Sequence, residues 1–184
     1  SKKISSTACE LDILRYKNGS WVAAGVDTTN RNFVILTATT PSGTWTQYTT
    51  ALTISSEYSS YTITGMEYAN GTWVFCGNHA WPSNAYNVKL FILYASSLSA
   101  SFTFNQFFTN NGYSAYDVAY GDGTWAVCGG MDGSSKYGYI WYTTELSSTW
   151  TQKNIPPNSF AGINKKIRYQ NGEWAVLVAA TSSS

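Results

Sequence analysis

Tyr68-Ala69-Asn70-Gly71-Thr72-Trp73 is a hairpin turn flanked by an aromatic pair, and the chain contains it four times. The other copies are Tyr16-Lys17-Asn18-Gly19-Ser20-Trp21, Tyr120-Gly121-Asp122-Gly123-Thr124-Trp125 and Tyr169-Gln170-Asn171-Gly172-Glu173-Trp174. Their tryptophans stand 52, 52 and 49 residues apart. Asn-Gly and Asp-Gly tolerate positive φ at both central positions, which selects the type I′ two-residue hairpin. Counting outward from that turn places each tyrosine directly across from its tryptophan. Such cross-strand aromatic pairs contribute roughly 0.2–1 kcal/mol each.

A second hairpin follows the first in three copies. Phe33-Val34-Ile35-Leu36-Thr37 aligns with Leu90-Phe91-Ile92-Leu93-Tyr94 and Tyr139-Ile140-Trp141-Tyr142. After a polar turn come Thr44-Trp45-Thr46-Gln47, Ser101-Phe102-Thr103-Phe104 and Thr149-Trp150-Thr151-Gln152. Each full copy reads as four antiparallel strands. The first hairpin is apolar on both faces, with Leu14 and Ala23 on one and Ile13, Val22 and Ala24 on the other. A sheet with one solvated face would alternate instead. The expected fold is therefore an all-β propeller of four-stranded blades, about three and a half per chain. The blades are expected at about 10–50, 62–108 and 114–153, with a half-blade at 163–180. An open fourth blade exposes a sheet edge. Three arrangements answer it: closure by residues 1–9, a larger ring shared by two chains, or an edge passed to further copies or belonging to a longer protein.

The turn Thr143-Thr144-Glu145-Leu146-Ser147-Ser148-Thr149-Trp150 resembles the Asp-box pattern S-x-D-x-G-x-T-W of sialidase-like propellers. Ala38 to Trp45 and Ala95 to Phe102 occupy the same frame, with Thr40 and Ser97 at the acidic position. The whole repeat looks like propellers of phage tail and other extracellular proteins. The resemblance implies the fold, and the altered box is expected to serve as a structural turn.

Composition narrows the function. The 184 residues carry a net charge of +1, and only 11% are charged. Ser and Thr number 45, and aromatic residues 30. No basic stripe suits a nucleic acid, and no apolar run is long enough to span a membrane as a helix. With one histidine and no Cys-x-x-Cys, neither a metal nor another cofactor is indicated. Cys76 and Cys128 share one repeat position with Ala24 and Leu177, which reads as a buried apolar slot holding free thiols. Asn18-Gly19-Ser20 and Asn70-Gly71-Thr72 fit the glycosylation pattern, but the hairpin turn already accounts for them.

The sialidase resemblance implies an arginine triad, a tyrosine nucleophile and acidic partners. This chain has three arginines, Arg15, Arg31 and Arg168. Arg15 and Arg168 share the frame of Glu67, so one of them is expected to pair with Glu67 between blades. Catalysis is not expected on this reading. The leading expectation is a non-catalytic module that binds a glycan or cell-surface ligand at the extracellular or virion surface. The binding face would carry the long loops, as functional loops on rigid scaffolds do. Its contacts would be His79, Trp81, Asn84 and Tyr86 of the longest loop, with Arg31, Asp132 and Tyr137 from its counterparts. Two alternatives stand beside it: a structural repeat that self-associates through its incomplete blade, and a sialidase-like glycoside hydrolase.

Overall fold

The computed structural model describes residues 9–27, 29–30, 32–50, 60–81, 84–107, 112–131, 137–155 and 162–180. Among them are fourteen strands and no helix, hence no helix long and apolar enough to cross a membrane. The first sheet is β1 (Cys9–Lys17), β2 (Ser20–Asp27), β3 (Phe33–Ala38) and β4 (Thr46–Thr50), in that order. The second is β5 (Ser60–Ala69), β6 (Thr72–Trp81), β7 (Asn84–Ala95) and β8 (Thr103–Asn105). The third is β9 (Tyr113–Gly121), β10 (Thr124–Met131), β11 (Tyr137–Thr143) and β12 (Thr151–Asn154). β13 (Gly162–Gln170) and β14 (Glu173–Ala180) form a two-stranded sheet. All pairings are antiparallel. The edge strands β1, β5, β9 and β13 pack beside one another in succession, so the sheets fan out from a common axis. This is the propeller arrangement expected from the repeats.

The turns follow the chemistry of their residues. Asn18, Asn70, Asp122 and Asn171 have φ between 47° and 54°, and the glycines after them between 72° and 83°. Two consecutive positive φ values define the type I′ turn and twist with the strands they join. Register puts Tyr16 across from Trp21, Tyr68 from Trp73, Tyr120 from Trp125 and Tyr169 from Trp174. Their ring centroids lie 5.6, 4.7, 4.7 and 5.1 Å apart. The outer turns also repeat: the N–H of Gly43, Ala100 and Ser148 donates to the carbonyl of Thr40, Ser97 and Glu145. Glu145 accepts from Ser147 Oγ within its own turn, as a structural role requires.

The core lies between the sheets. Ile13, Ala24, Phe33, Phe75, Phe91 and Leu93 belong to the first joint, and Cys76, Ile92, Val118, Trp141 and Trp150 to the second. Ala119, Cys128, Ile140 and Ile167 form a smaller third joint. Cys76 and Cys128 are buried free thiols, and Cys9 is half-buried.

The shared slot behaves differently at the last sheet. Ala24, Cys76 and Cys128 are fully buried, but Leu177 is 62% exposed. The slot faces the following blade, and among the described residues none packs on that side of β14. The mirror case is Leu14, 49% exposed although its counterparts Met66, Val118 and Ile167 are at most 2% exposed. That position faces the preceding blade. The burial expected for Leu177 is thus a property of the joint and not of the residue.

Candidate functional site

Each inner strand carries one extra residue at the same level. The pairing skips between Leu11 and Ile13, between Ile63 and Gly65, between Ala115 and Asp117, and between Asn164 and Lys166. The bulged residues are Asp12, Thr64, Tyr116 and Lys165, each nine positions before the tryptophan of its repeat. A bulge re-aims a side chain, which is why bulges recur beside functional sites. Gly25, Gly77 and Gly129 stand four residues after the tryptophans, opposite these irregularities. A Cβ there would collide with the carbonyl of Glu10, Thr62 or Ser114.

The inner strands carry much of the charge of a chain that has little, two of the bulged residues, Asp12 and Lys165, among it. Glu10, Asp12, Arg15, Lys17, Glu67, Asp117, Lys165, Lys166 and Arg168 all lie on inner strands, nine of the 21 Asp, Glu, Lys and Arg residues. Asp12 Oδ2 accepts the Ile63 N–H at 2.9 Å, crossing from the first sheet to the second. Leu11, Ile13, Leu14, Ala23 and Trp45 line the same pocket of about 280 Å³ as Asp12. This apolar surround holds its carboxyl above the ordinary range; the Ile63 N–H pulls it down, and Glu10 adds a smaller upward push. Desolvation wins because the uncharged acid loses less on leaving water. Asp12 is nevertheless accessible to solvent.

Farther around the axis, the Lys165 ammonium lies 3.5 Å from the ring centroid of Tyr116. Asp117 is 1% exposed and accepts Arg168 Nη1 at 2.6 Å, with Lys166 Nζ at 3.9 Å. Its Oδ2 also accepts the Ile167 N–H at 3.4 Å. Lys17 Nζ meets Glu67 Oε1 at 2.5 Å. Ion pairs therefore do bridge the blades, but not the one expected: Glu67 takes Lys17, Arg168 takes Asp117, and Arg15 Nη1 donates to the Leu14 carbonyl.

The contacts expected on the long-loop face fare differently. The stretch from Asn78 to Asn87 is no long loop, because β6 runs to Trp81 and β7 resumes at Asn84. His79 lies inside that hairpin, 1% exposed, against Tyr61, Phe91 and Phe104. It cannot meet a ligand at the surface. Asn78, beside it, exchanges two hydrogen bonds with the Ala115 backbone and so ties the second sheet to the third. Trp81, Asn84 and Tyr86 fall on the strand ends, and Tyr137 opens β11 with an exposed ring. Arg31 and Asp132 lie outside the described residues. Asn30 is committed to Asp27, whose carboxylate also accepts the Thr29 and Asn30 N–H groups and is thereby held below its ordinary pKa. Among the described residues no group of His, Cys, Asp and Glu has the arrangement of a metal site.

No protein-family model matches the chain, and no curated protein matches it. Solved structures do. Trypanosoma rangeli sialidase in complex with 2,3-difluorosialic acid superposes with a TM-score of 0.66 at 8% identity, over 94% of this chain and 34% of that one. Penicillium chrysogenum alpha-L-arabinanase complexed with arabinobiose gives 0.55 at 10% identity, over 95% and 58%. Xylan beta-1,4-xylosidase from Bacillus halodurans gives 0.52 at 13%, over 98% and 40%. The chain spans between about a third and three fifths of these proteins. At such identities the likeness establishes the fold, that of the sialidase-like propellers and their glycosidase relatives. The expectation of a non-catalytic protein runs against this likeness, because the three superposing proteins are glycoside hydrolases.

Proposed function

We propose that the chain is a carbohydrate-directed propeller unit of the glycoside hydrolase type, with its reaction site at the bulge level of the inner strands. One observation carries the reading. Asp12 is a solvent-accessible carboxyl on an inner strand whose apolar surround raises its pKa, in a fold shared with enzymes that cleave glycosidic bonds. A carboxyl with a raised pKa keeps its proton to higher pH than an ordinary one and can deliver it to a departing glycosidic oxygen. Water adds to the anomeric carbon and gives up its own proton to solvent, from which the carboxylate is reprotonated. Arg15, Lys165 and Arg168 supply cations along the same axis for an anionic or hydroxyl-rich sugar. Asp117 holds Arg168 in place and is a positioning residue. Such a protein would work outside the cell, where its substrates are.

Release of fluorophore from aryl sialosides, arabinofuranosides and xylosides tests this directly. Turnover of one class is expected, with Asp12→Asn lowering kcat by roughly 10²–10⁴-fold, the usual worth of a general acid. Absence of turnover on all three classes would refute the assignment.

A second reading rests on Leu14 and Leu177. Exposed apolar positions whose repeat counterparts are buried call for cover, and a second copy offers complementary faces. Sedimentation velocity should then show association that Leu177→Lys weakens by at least tenfold; unchanged sedimentation in the variant would leave these faces without that role.

A further inference from the structure

The turn ends of the first two blades border an open crevice of about 330 Å³. It lies about six residues along the strand from Asp12, or some 20 Å at 3.3 Å per residue, and so is separate from the axial site. Its walls are the half-buried rings of Tyr48 of the first sheet and Tyr68 of the second, with the buried Trp73 ring behind Tyr68 at 4.7 Å between centroids. Its rim carries Asn18, Ser20, Ser97 and Ser99, the two outer-turn hydroxyls 3.2 Å apart. No charged side chain lines it.

The repeat explains why the space exists. Thr37 lines the crevice at the position held by Tyr94 and Tyr142 in the next two copies. In the second joint the Tyr94 ring packs against the core cluster at this level. Leu98, at the tip of the outer turn, is half-buried where its counterpart Leu146 is 8% exposed. The small side chain of Thr37 thus leaves the first joint more open than the second at this level. The third joint, whose last sheet has two strands, keeps a pocket of about 340 Å³ there beside Tyr142.

We propose that this crevice is a binding site for a neutral pyranose. Aromatic walls suit the C–H face of a sugar ring, and hydroxyl and amide groups on the rim exchange hydrogen bonds in either direction with its hydroxyls. An ionised ligand would lose its hydration with no opposite charge to receive it. A purely apolar ligand would bury the serines unpaired. The site stands whether or not the axial residues hydrolyse a glycoside, since no residue is common to both.

Titration with methyl β-galactopyranoside and methyl α-glucopyranoside, followed by tyrosine and tryptophan fluorescence and by amide NMR shifts, tests the proposal. At least one glycoside should bind saturably with a Kd on the order of 1 mM, as expected for a ligand of about a dozen heavy atoms. Thr37→Tyr installs the side chain of the neighbouring repeats and should weaken binding at least tenfold. Ser97→Val, on the exposed rim, should also weaken it without altering the fold. Shifts confined to Asn18, Ser20, Tyr68 and Ser96–Ser99 are the expected signature. Failure of both glycosides to saturate overturns the proposal, as does undiminished binding in Thr37→Tyr and Ser97→Val.

Discussion

Phe75→Ala is expected to lower the unfolding free energy by roughly 3–5 kcal/mol, the range for removing a large aromatic side chain from a packed core. Phe75 is fully buried between the first two blades, with Phe33 at 5.0 Å and Phe102 at 5.6 Å between ring centroids. Both contacts are edge-to-face, the geometry in which an aromatic pair gains beyond its buried area. The hole cannot close easily, because strands β2 and β6 are each pinned on both sides by a ladder. Domains are stable by about 5–15 kcal/mol in total, so this loss consumes much of the margin. Urea denaturation measures it: the midpoint should fall sharply for Phe75→Ala. Phe75→Leu, which keeps more of the volume, should lose about 1.5 kcal/mol or less. Equal small losses in both variants would mean that the joint between blades contributes little to stability.

Acid should destabilise the protein through His79. Burial holds its imidazole neutral and pushes its pKa down to about 4, with Lys89 acting in the same direction and Gln106 opposing. Above pH 6.5 neither the folded nor the unfolded chain protonates this ring, and stability does not depend on it. Between pH 6.5 and about 4 the unfolded chain binds a proton that the folded chain excludes. Stability therefore falls by about 1.4 kcal/mol per pH unit across that window. The whole effect amounts to roughly 3 kcal/mol and is complete once the folded ring itself protonates. Melting temperatures recorded from pH 7 to pH 4 should decline for the native chain and much less for His79→Phe, whose ring suits the surrounding aromatics. Parallel decline in the two proteins would assign the acid sensitivity to other groups.

The inner hairpins are legible in the sequence because positive φ is a strong local demand. Asn18-Gly19 and its three counterparts satisfy it within two residues. The bulges are less visible, although a signal exists. Gly25, Gly77 and Gly129 recur four places after the tryptophans, where only a missing Cβ admits the opposing carbonyl. The fourth copy has Val178 there and keeps its bulge, so the glycine assists the irregularity without being its only cause. Trp81-Pro82 misled for a different reason. Its letters read as a loop, yet β6 runs to Trp81 and β7 resumes at Asn84. His79 was thus drawn into a core that the turn-like letters around it concealed. The ion pairs escaped because repeat alignment puts Arg15, Glu67 and Arg168 at one level, whereas the observed partners are two residues apart in frame. Side chains on one face of a strand recur every second residue, so a diagonal neighbour can be as reachable as the one at the same level.

The buried thiols give the propeller a way to report its own breathing. Burial pushes Cys76 up to about 12 and Cys128 also upward, so neither offers appreciable thiolate to a reagent at neutral pH while the blades are closed. Cys76 lies in the joint between the second and third sheets and Cys128 in that between the third and fourth. Each can react only when its own joint parts, because the thiolate is the nucleophile and it needs water. The two cysteines are therefore separate clocks set in adjacent seams of one molecule. The smaller third joint should run the faster of them, since fewer apolar contacts resist its opening.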